Sequence, residues 1–248
     1  MPVRAVPLRR RLCPFLRAFS GLVLLFCTIF LRPSLGQTTP MARCNDPSAT
    51  DPNSLQLPKH IFGIFPNHNT SPCLSPYVPV TTREKFRIAA ADALDPGGIL
   101  VAAGAGGIAQ LLNSNRPFGQ EASGYTRYFA AAYGNHVVGD FLTEGLYPSL
   151  LHQDPRYFRK GSGSTGSRLR YAVSRVFRTE TDAGTTAFNY SRVLGASSTV
   201  AISSLYYANH RHADEAAAAF GAQLASTMAV NILKEFWPDF LQKHFRKH

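Results

Sequence analysis

Residues 122–159 read ASGYTRYFAAAYGNHVVGDFLTEGLYPSLLHQDPRYFR. This is the longest segment with helical character, and it carries the densest set of ionisable groups on an apolar background. His136, Asp140 and Glu144 stand at i, i+4 and i+8. At roughly 100° per residue they fall along one stripe of a helix. The helix is expected to run to about residue 151 and to bend near Pro148. It exits through HQDPRYFR, where Pro155 bars its continuation. Any chemical site in the chain is expected on this stripe.

Working outward, the segment is flanked by further helices. Thr81-Thr82-Arg83-Glu84 forms a capping box, a Thr oxygen for an orphan N–H and a Glu three residues on that reaches back. It opens a helix to about residue 94. Asp95-Pro96 starts the next, over about 97–112, with Pro at the first helical position. Downstream, GSGSTGS (161–167) reads as a flexible loop. Helices follow over about 168–177, 190–207 and from about 213 to just before Pro238. Asp214 and Glu215 sit favourably at the N-terminal dipole of the last. No period-2 alternation is long enough for a sheet, so the expected class is mainly α, a compact bundle of about six helices.

Small residues recur every fourth position: Gly98, Ala102, Gly106; Ala130, Gly134; Gly195, Thr199, Ser203; Ala217, Gly221, Ala225, Ala229. Such rows flatten a helix face and let backbones approach closely. Three uncharged runs (97–115, 193–210, 216–233) near spanning length, yet Ser, Thr, Asn, Gln and Gly dilute them. They read as core helices of a tight bundle, with membrane insertion as the alternative.

The N-terminal third is different. Residues 1–36 read as a secretory signal: five arginines among the first 17 residues, an apolar run over 18–31, and Ser34 and Gly36 before a cleavage leaving Gln37. Fourteen residues are short of the about 20 that a membrane span needs; the alternative is an uncleaved anchor over residues 18–31. Net charge is +11 for the whole chain. Without the six basic residues of the signal, 20 basic and 15 acidic residues leave +5. Most of the basicity therefore belongs to targeting rather than to nucleic-acid binding. Residues 37–80 hold eight prolines and read as an extended arm. Ile61, Phe62, Ile64 and Phe65 would dock it. A Cys44–Cys73 disulfide in an oxidising compartment would hold it, contributing about 3.5 kcal/mol on the chain-entropy model. Asn69 and Asn189 head glycosylation sequons. The division expected is signal 1–36, arm 37–80, bundle 81–238 and basic tail 239–248.

Two features suggest chemistry. The stripe of His136, Asp140 and Glu144 suits acid–base work, or a metal if His152, Asp154, His210 or His212 joined it. The spacing matches neither HExxH nor the Glu-x-x-His of di-metal bundles, so no metal and no cofactor is expected. The bland counterpart is a buried polar network with Arg127, Arg168 or Arg175 as partners. A GxSxG elbow is absent. Gly104, Gly106 and Ala109 match GxGxxA without the strand and βα repeat that a dinucleotide needs. The second feature is a run of seven cations without an acid: Arg156, Arg159, Lys160, Arg168, Arg170, Arg175 and Arg178. Tyr157, Phe158, Tyr171 and Phe177 interleave. This suits an anionic surface such as phospholipid head groups or lipopolysaccharide phosphates.

IFGIFPNHNT (61–70), HQDPRYFR (152–159), AISSLYY (201–207) and NILKEFWPD (231–239) together resemble a family of uncharacterised exported bacterial proteins, commonest in soil groups such as the acidobacteria. The resemblance implies an exported envelope protein and brings no activity, cofactor or catalytic residue. The expected function is therefore structural or interactive at an anionic envelope surface, periplasmic or outer-envelope, without nucleic acid. A hydrolase built on the His/Asp/Glu stripe and a membrane-inserted helical oligomer are the alternatives. Association of copies is left open.

Overall fold

The computed structural model describes residues 60–61, 65–71, 77–207 and 213–245. The chain is mainly helical. Two short strands, β1 (His60–Ile61) and β2 (Phe65–Pro66), pair antiparallel. Next, β3 (Thr70–Ser71) lies parallel to β4 (Tyr157–Phe158). The first ladder folds the arm on itself and the second fixes it to the body; Ile61 is buried. Phe62, Ile64, Cys44 and Cys73 lie outside the described residues, so the disulfide expectation does too.

Helix α1 (Thr82–Ala93) has the capping box at Thr81 and Glu84. Helix α2 (Pro96–Leu111) is capped by Asp95, which accepts from the Gly97 N–H. Helix α3 (Ala122–Asp140) runs on through a π turn (Phe141–Leu146) into α4 (Tyr147–Leu150). Pro148 explains the irregularity. It cannot donate to the Glu144 carbonyl, its ring crowds that carbonyl, and a wider turn just upstream relieves the clash. The remaining elements are α5 (Thr165–Ser174), the hairpin of β5 (Arg178–Glu180) and β6 (Thr186–Phe188), α6 (Tyr190–Ser203) and α7 (Ala213–Phe245).

One expectation is corrected here. The last helix does not stop before Pro238 but continues to Phe245. Proline withholds a donor from the turn before it. In that turn the Glu235 carbonyl accepts from Arg159 Nε at 2.8 Å and Arg168 Nη2 at 2.7 Å. The donor that Pro238 lacks is the one to the Lys234 carbonyl, so these bonds do not replace it; they fasten the turn to the body, and the helix continues past the proline.

Packing follows the small-residue rows. A Cβ on Gly106 would lie 2.9 Å from the backbone of Phe129, so α2 and α3 meet main chain to main chain. Gly195 is pressed as closely against Thr143. The buried apolar set is rich in alanine, with a nucleus of Val176, Ala196 and Leu224. The rows on α3 and α7 behave differently: a Cβ on Gly134 would meet nothing within 4 Å, and Ala130, Ala217, Gly221, Ala225 and Ala229 are exposed. So are Leu100, Ile108, Leu111 and Leu112 along α2, Leu111 to 85%. Among the described residues, α7 is the one helix long and apolar enough by itself to cross a membrane. Within residues 213–240 an 18-residue stretch has mean hydropathy 1.4, and 17% of that stretch is buried.

Candidate functional site

The structure gathers the stripe and adds to it. His136 and Asp140 come from α3 and Glu144 from the π turn; all three line one cleft of about 300 Å³. Asp92 reaches it from α1, Arg192 from α6, Lys234 from α7 and Asn69 from the arm. His136 Nδ1 lies 3.4 Å from Asp140 Oδ2. Asn69 Nδ2 donates to Glu144 Oε1 at 2.6 Å, and Lys234 Nζ donates to Asn69 Oδ1. Arg192 donates to the Thr143 hydroxyl at 3.0 Å and approaches Glu144 to 4.0 Å.

The local fold explains these placements. Gly98 leaves room for the imidazole, since a Cβ there would come within 3.0 Å of His136 Nε2. Gly195 lets the π turn sit tightly against α6. Buried polar atoms are ordinarily paired. Here Asp92 Oδ1, His136 Nε2, Asp140 Oδ2 and Glu144 Oε2 are buried without a hydrogen bond. Four unpartnered atoms on residues that share one cleft form an unusual concentration.

Burial sets the protonation. It pushes the Asp140 carboxyl up to about 8, with the charge of Asp92 adding to the effect and Arg192 and Lys234 opposing it. The Glu144 carboxyl is raised well above the carboxylate range, first by burial and then by Asp92 and Asp140. Burial lowers His136, against the pull of the Asp92 backbone carbonyl and the charges of Asp92 and Asp95. At neutral pH the cleft therefore holds a protonated acid beside an unprotonated imidazole.

The arginine partners expected for the stripe lie elsewhere. Arg168 Nε donates to Glu235 Oε1 at 2.8 Å and its Nη1 to Asp239. Arg175 bonds Glu180 at 2.9 Å. Arg127 bonds the Phe118 carbonyl and lies 3.9 Å from Glu121. Much of the basic run is likewise turned inward. Arg156 pairs with Asp154 and Arg159 with Asp239; Arg168 and Arg175 are buried with their acids. Lys160 Nζ donates to Ser167. Arg170 and Arg178 alone in the run are exposed. A charge run in sequence shows no partners; acids 2 to 80 positions away along the chain supply them here through the fold.

Among the other residues considered as ligands, His152 is exposed beside Asp182, and Asp154 is buried between Arg156 and Tyr77. His210 and His212 lie outside the described residues. The sequons are not free for glycan: Asn69 is buried and Asn189 caps α6. Asp92, Arg192, Lys234 and Asn69 were not expected in the site. For Asp92 a signal existed, a lone charge in the apolar helical stretch over 88–94.

Three of the four strings that carry the resemblance meet in space, and the fourth bonds α3 beside them. Tyr157 donates to Glu235 Oε2 at 2.9 Å, joining HQDPRYFR to NILKEFWPD. Lys234 joins the latter to Asn69 of IFGIFPNHNT. Tyr206 of AISSLYY bonds Asn135, a neighbour of His136. They form the polar framework behind the cleft. Comparison with protein-family models, with curated proteins and with solved structures finds no match for this chain.

Proposed function

We propose that the chain is an exported envelope protein that works through this cleft, binding a small polar substrate against the His136–Asp140–Glu144 stripe and hydrolysing it by general acid–base catalysis. The observation that carries this is the convergence of four unpartnered buried ionisable atoms on residues lining one cleft. Pockets with convergent polar groups and acids and bases of shifted strength are where such chemistry is found. His136 Nε2 takes a proton from water as its oxygen attacks the substrate. A protonated carboxyl, Asp140 or Glu144, gives its proton to the leaving-group oxygen. Imidazolium then releases the Nε2 proton to solvent and the carboxylate regains one through solvent, while Nδ1, 3.4 Å from Asp140 Oδ2, keeps its own, which resets the site. Asn69 and Arg192 donate to oxygen on the substrate. Export is supported by the signal-like residues 1–36.

The test uses chromogenic carboxylic, phosphoric and glycosidic esters with the wild type, His136→Gln and Asp140→Asn. Turnover of one class should fall by about 10²–10⁴ in each variant while helicity is kept. Turnover that survives both substitutions, or its absence across all three classes, contradicts the proposal.

A second reading concerns where the protein sits. The exposed apolar rows of α2 and α7 favour contact with a bilayer over the salt-dependent contact expected of the basic run.

A further inference from the structure

A second cluster lies outside the cleft. His60 on β1, His68 just after β2 and Asp95, the cap of α2, place one ligand atom each within 4.8 Å of one another. His60 Nε2 lies 2.7 Å and His68 Nε2 3.2 Å from the same oxygen, Asp95 Oδ2. The two imidazoles meet edge to face with centroids 5.8 Å apart. Asp95 is 5% exposed in its side chain, and its other oxygen accepts from the Gly97 N–H at 2.7 Å. That bond aims Oδ2 at the histidines, as outer partners orient metal ligands. The histidines are 36% and 24% exposed, which leaves a path for an ion and a water.

We infer that His60, His68 and Asp95 bind a divalent transition cation, zinc above all, through two imidazole nitrogens and one carboxylate oxygen, with a fourth position open to water. Two neutral imidazoles and one carboxylate match the borderline donor set that zinc prefers. Ligand atoms about 2.0–2.1 Å from zinc in a tetrahedron stand roughly 3.3 Å apart. The Nε2–Oδ2 spacings of 2.7 and 3.2 Å lie near that value, so an ion displaces the bridging protons as the His60 ring moves outward. The alternative, a purely hydrogen-bonded clasp, explains one histidine on Asp95 more readily than two on one oxygen. The site also adjoins the cleft: His68 precedes Asn69, which bonds Glu144, and Asp95 stands three residues before Gly98, which seats His136. A bound ion would tie the arm hairpin to the first turn of α2 and steady that wall. The inference does not rest on the hydrolytic proposal, because it is tested with metal alone.

The experiment is calorimetric titration of chelator-treated protein with Zn²⁺, in a background with Cys13, Cys27, Cys44 and Cys73 replaced by Ser so that thiols cannot bind the ion. One equivalent should bind with release of protons, more weakly as pH falls through the histidine range. It should raise the thermal midpoint. His60→Gln and His68→Gln, checked for helicity, should each weaken binding by more than the roughly 10–100-fold that loss of an outer partner costs. Asp95→Asn, which still caps the helix, should do the same. Absence of binding in the parent protein, or binding unchanged in both histidine variants, overturns the assignment and leaves a hydrogen-bonded clasp.

Discussion

Asp140 is the residue on which the site's behaviour turns. Its carboxyl titrates near 3.9 in an unfolded chain. In the fold, burial and then Asp92 push it up to about 8. Between these values the folded protein holds a proton that the unfolded chain has lost. Its contribution to stability is therefore full below about pH 4 and declines as pH rises to 8. The side chain is 19% exposed, so solvent softens the effect. Relative to Asp140→Asn, the wild type should lose about 2 kcal/mol between pH 5 and pH 8 in urea unfolding; parallel stability curves would show the carboxyl to be ordinary. Arg168 makes a second prediction at this scale. It is buried with Glu235, which also accepts from Tyr157, Lys160 and Gly161. Arg168→Gln leaves a buried carboxylate without its cation and should cost about 3–5 kcal/mol. Exposed Arg170→Gln should change stability by less than about 0.5 kcal/mol. Equal effects would contradict the inward pairing of the basic run. His136, Asp140 and Glu144 were legible because helical periodicity alone aligns them. Asp92, Arg192, Lys234 and Asn69 were not, since tertiary packing brings them in from four other segments.

At the scale of elements, close approach of backbones is the fold's main device. Gly106 faces the main chain of Phe129 with no room for a Cβ, whereas a Cβ on Gly104 would meet nothing within 4 Å. Gly106→Ala should therefore cost about 1–3 kcal/mol through overpacking. Gly104→Ala should be neutral or stabilise by up to about 1 kcal/mol through helix propensity. Thermal midpoints of the two variants check this, and a reversed order would place the α2–α3 contact elsewhere. Capping residues made the helix starts legible: Thr81 and Asp95 act as expected. Helix ends were harder to read. Pro238 signals a stop locally, yet the helix continues, its turn there fastened to the body by Arg159 and Arg168. Pro148 was expected to bend its helix, and it opens a π turn that carries Thr143 and Glu144 inward. The short ladders escaped notice because two- and three-residue strands show no alternation.

At the scale of the molecule, the fold turns its charges inward and leaves small and apolar residues on the outer faces of α2 and α7. A protein so built should stay with membranes in high salt and be released by detergent. Release by salt alone would favour the anionic-surface contact read from the basic run. The mainly helical class was legible from composition and periodicity; the inward turning of charge was not, because it depends on pairs such as Lys85–Asp182 and Arg168–Glu235 far apart in sequence. The bundle gathers ionisable groups from α1, α3, the π turn, α6 and α7, with the Asn69 amide of the arm on Glu144, and holds protonated carboxyls in a cleft at neutral pH. The most direct test is a ¹³C NMR titration of side-chain carboxyl carbons in the wild type, Asp140→Asn and Glu144→Gln. The account predicts at least one carboxyl titrating near pH 8, coupled to a second and lost or displaced in each variant. A wild-type protein in which every carboxyl titrates below about pH 5 would contradict it.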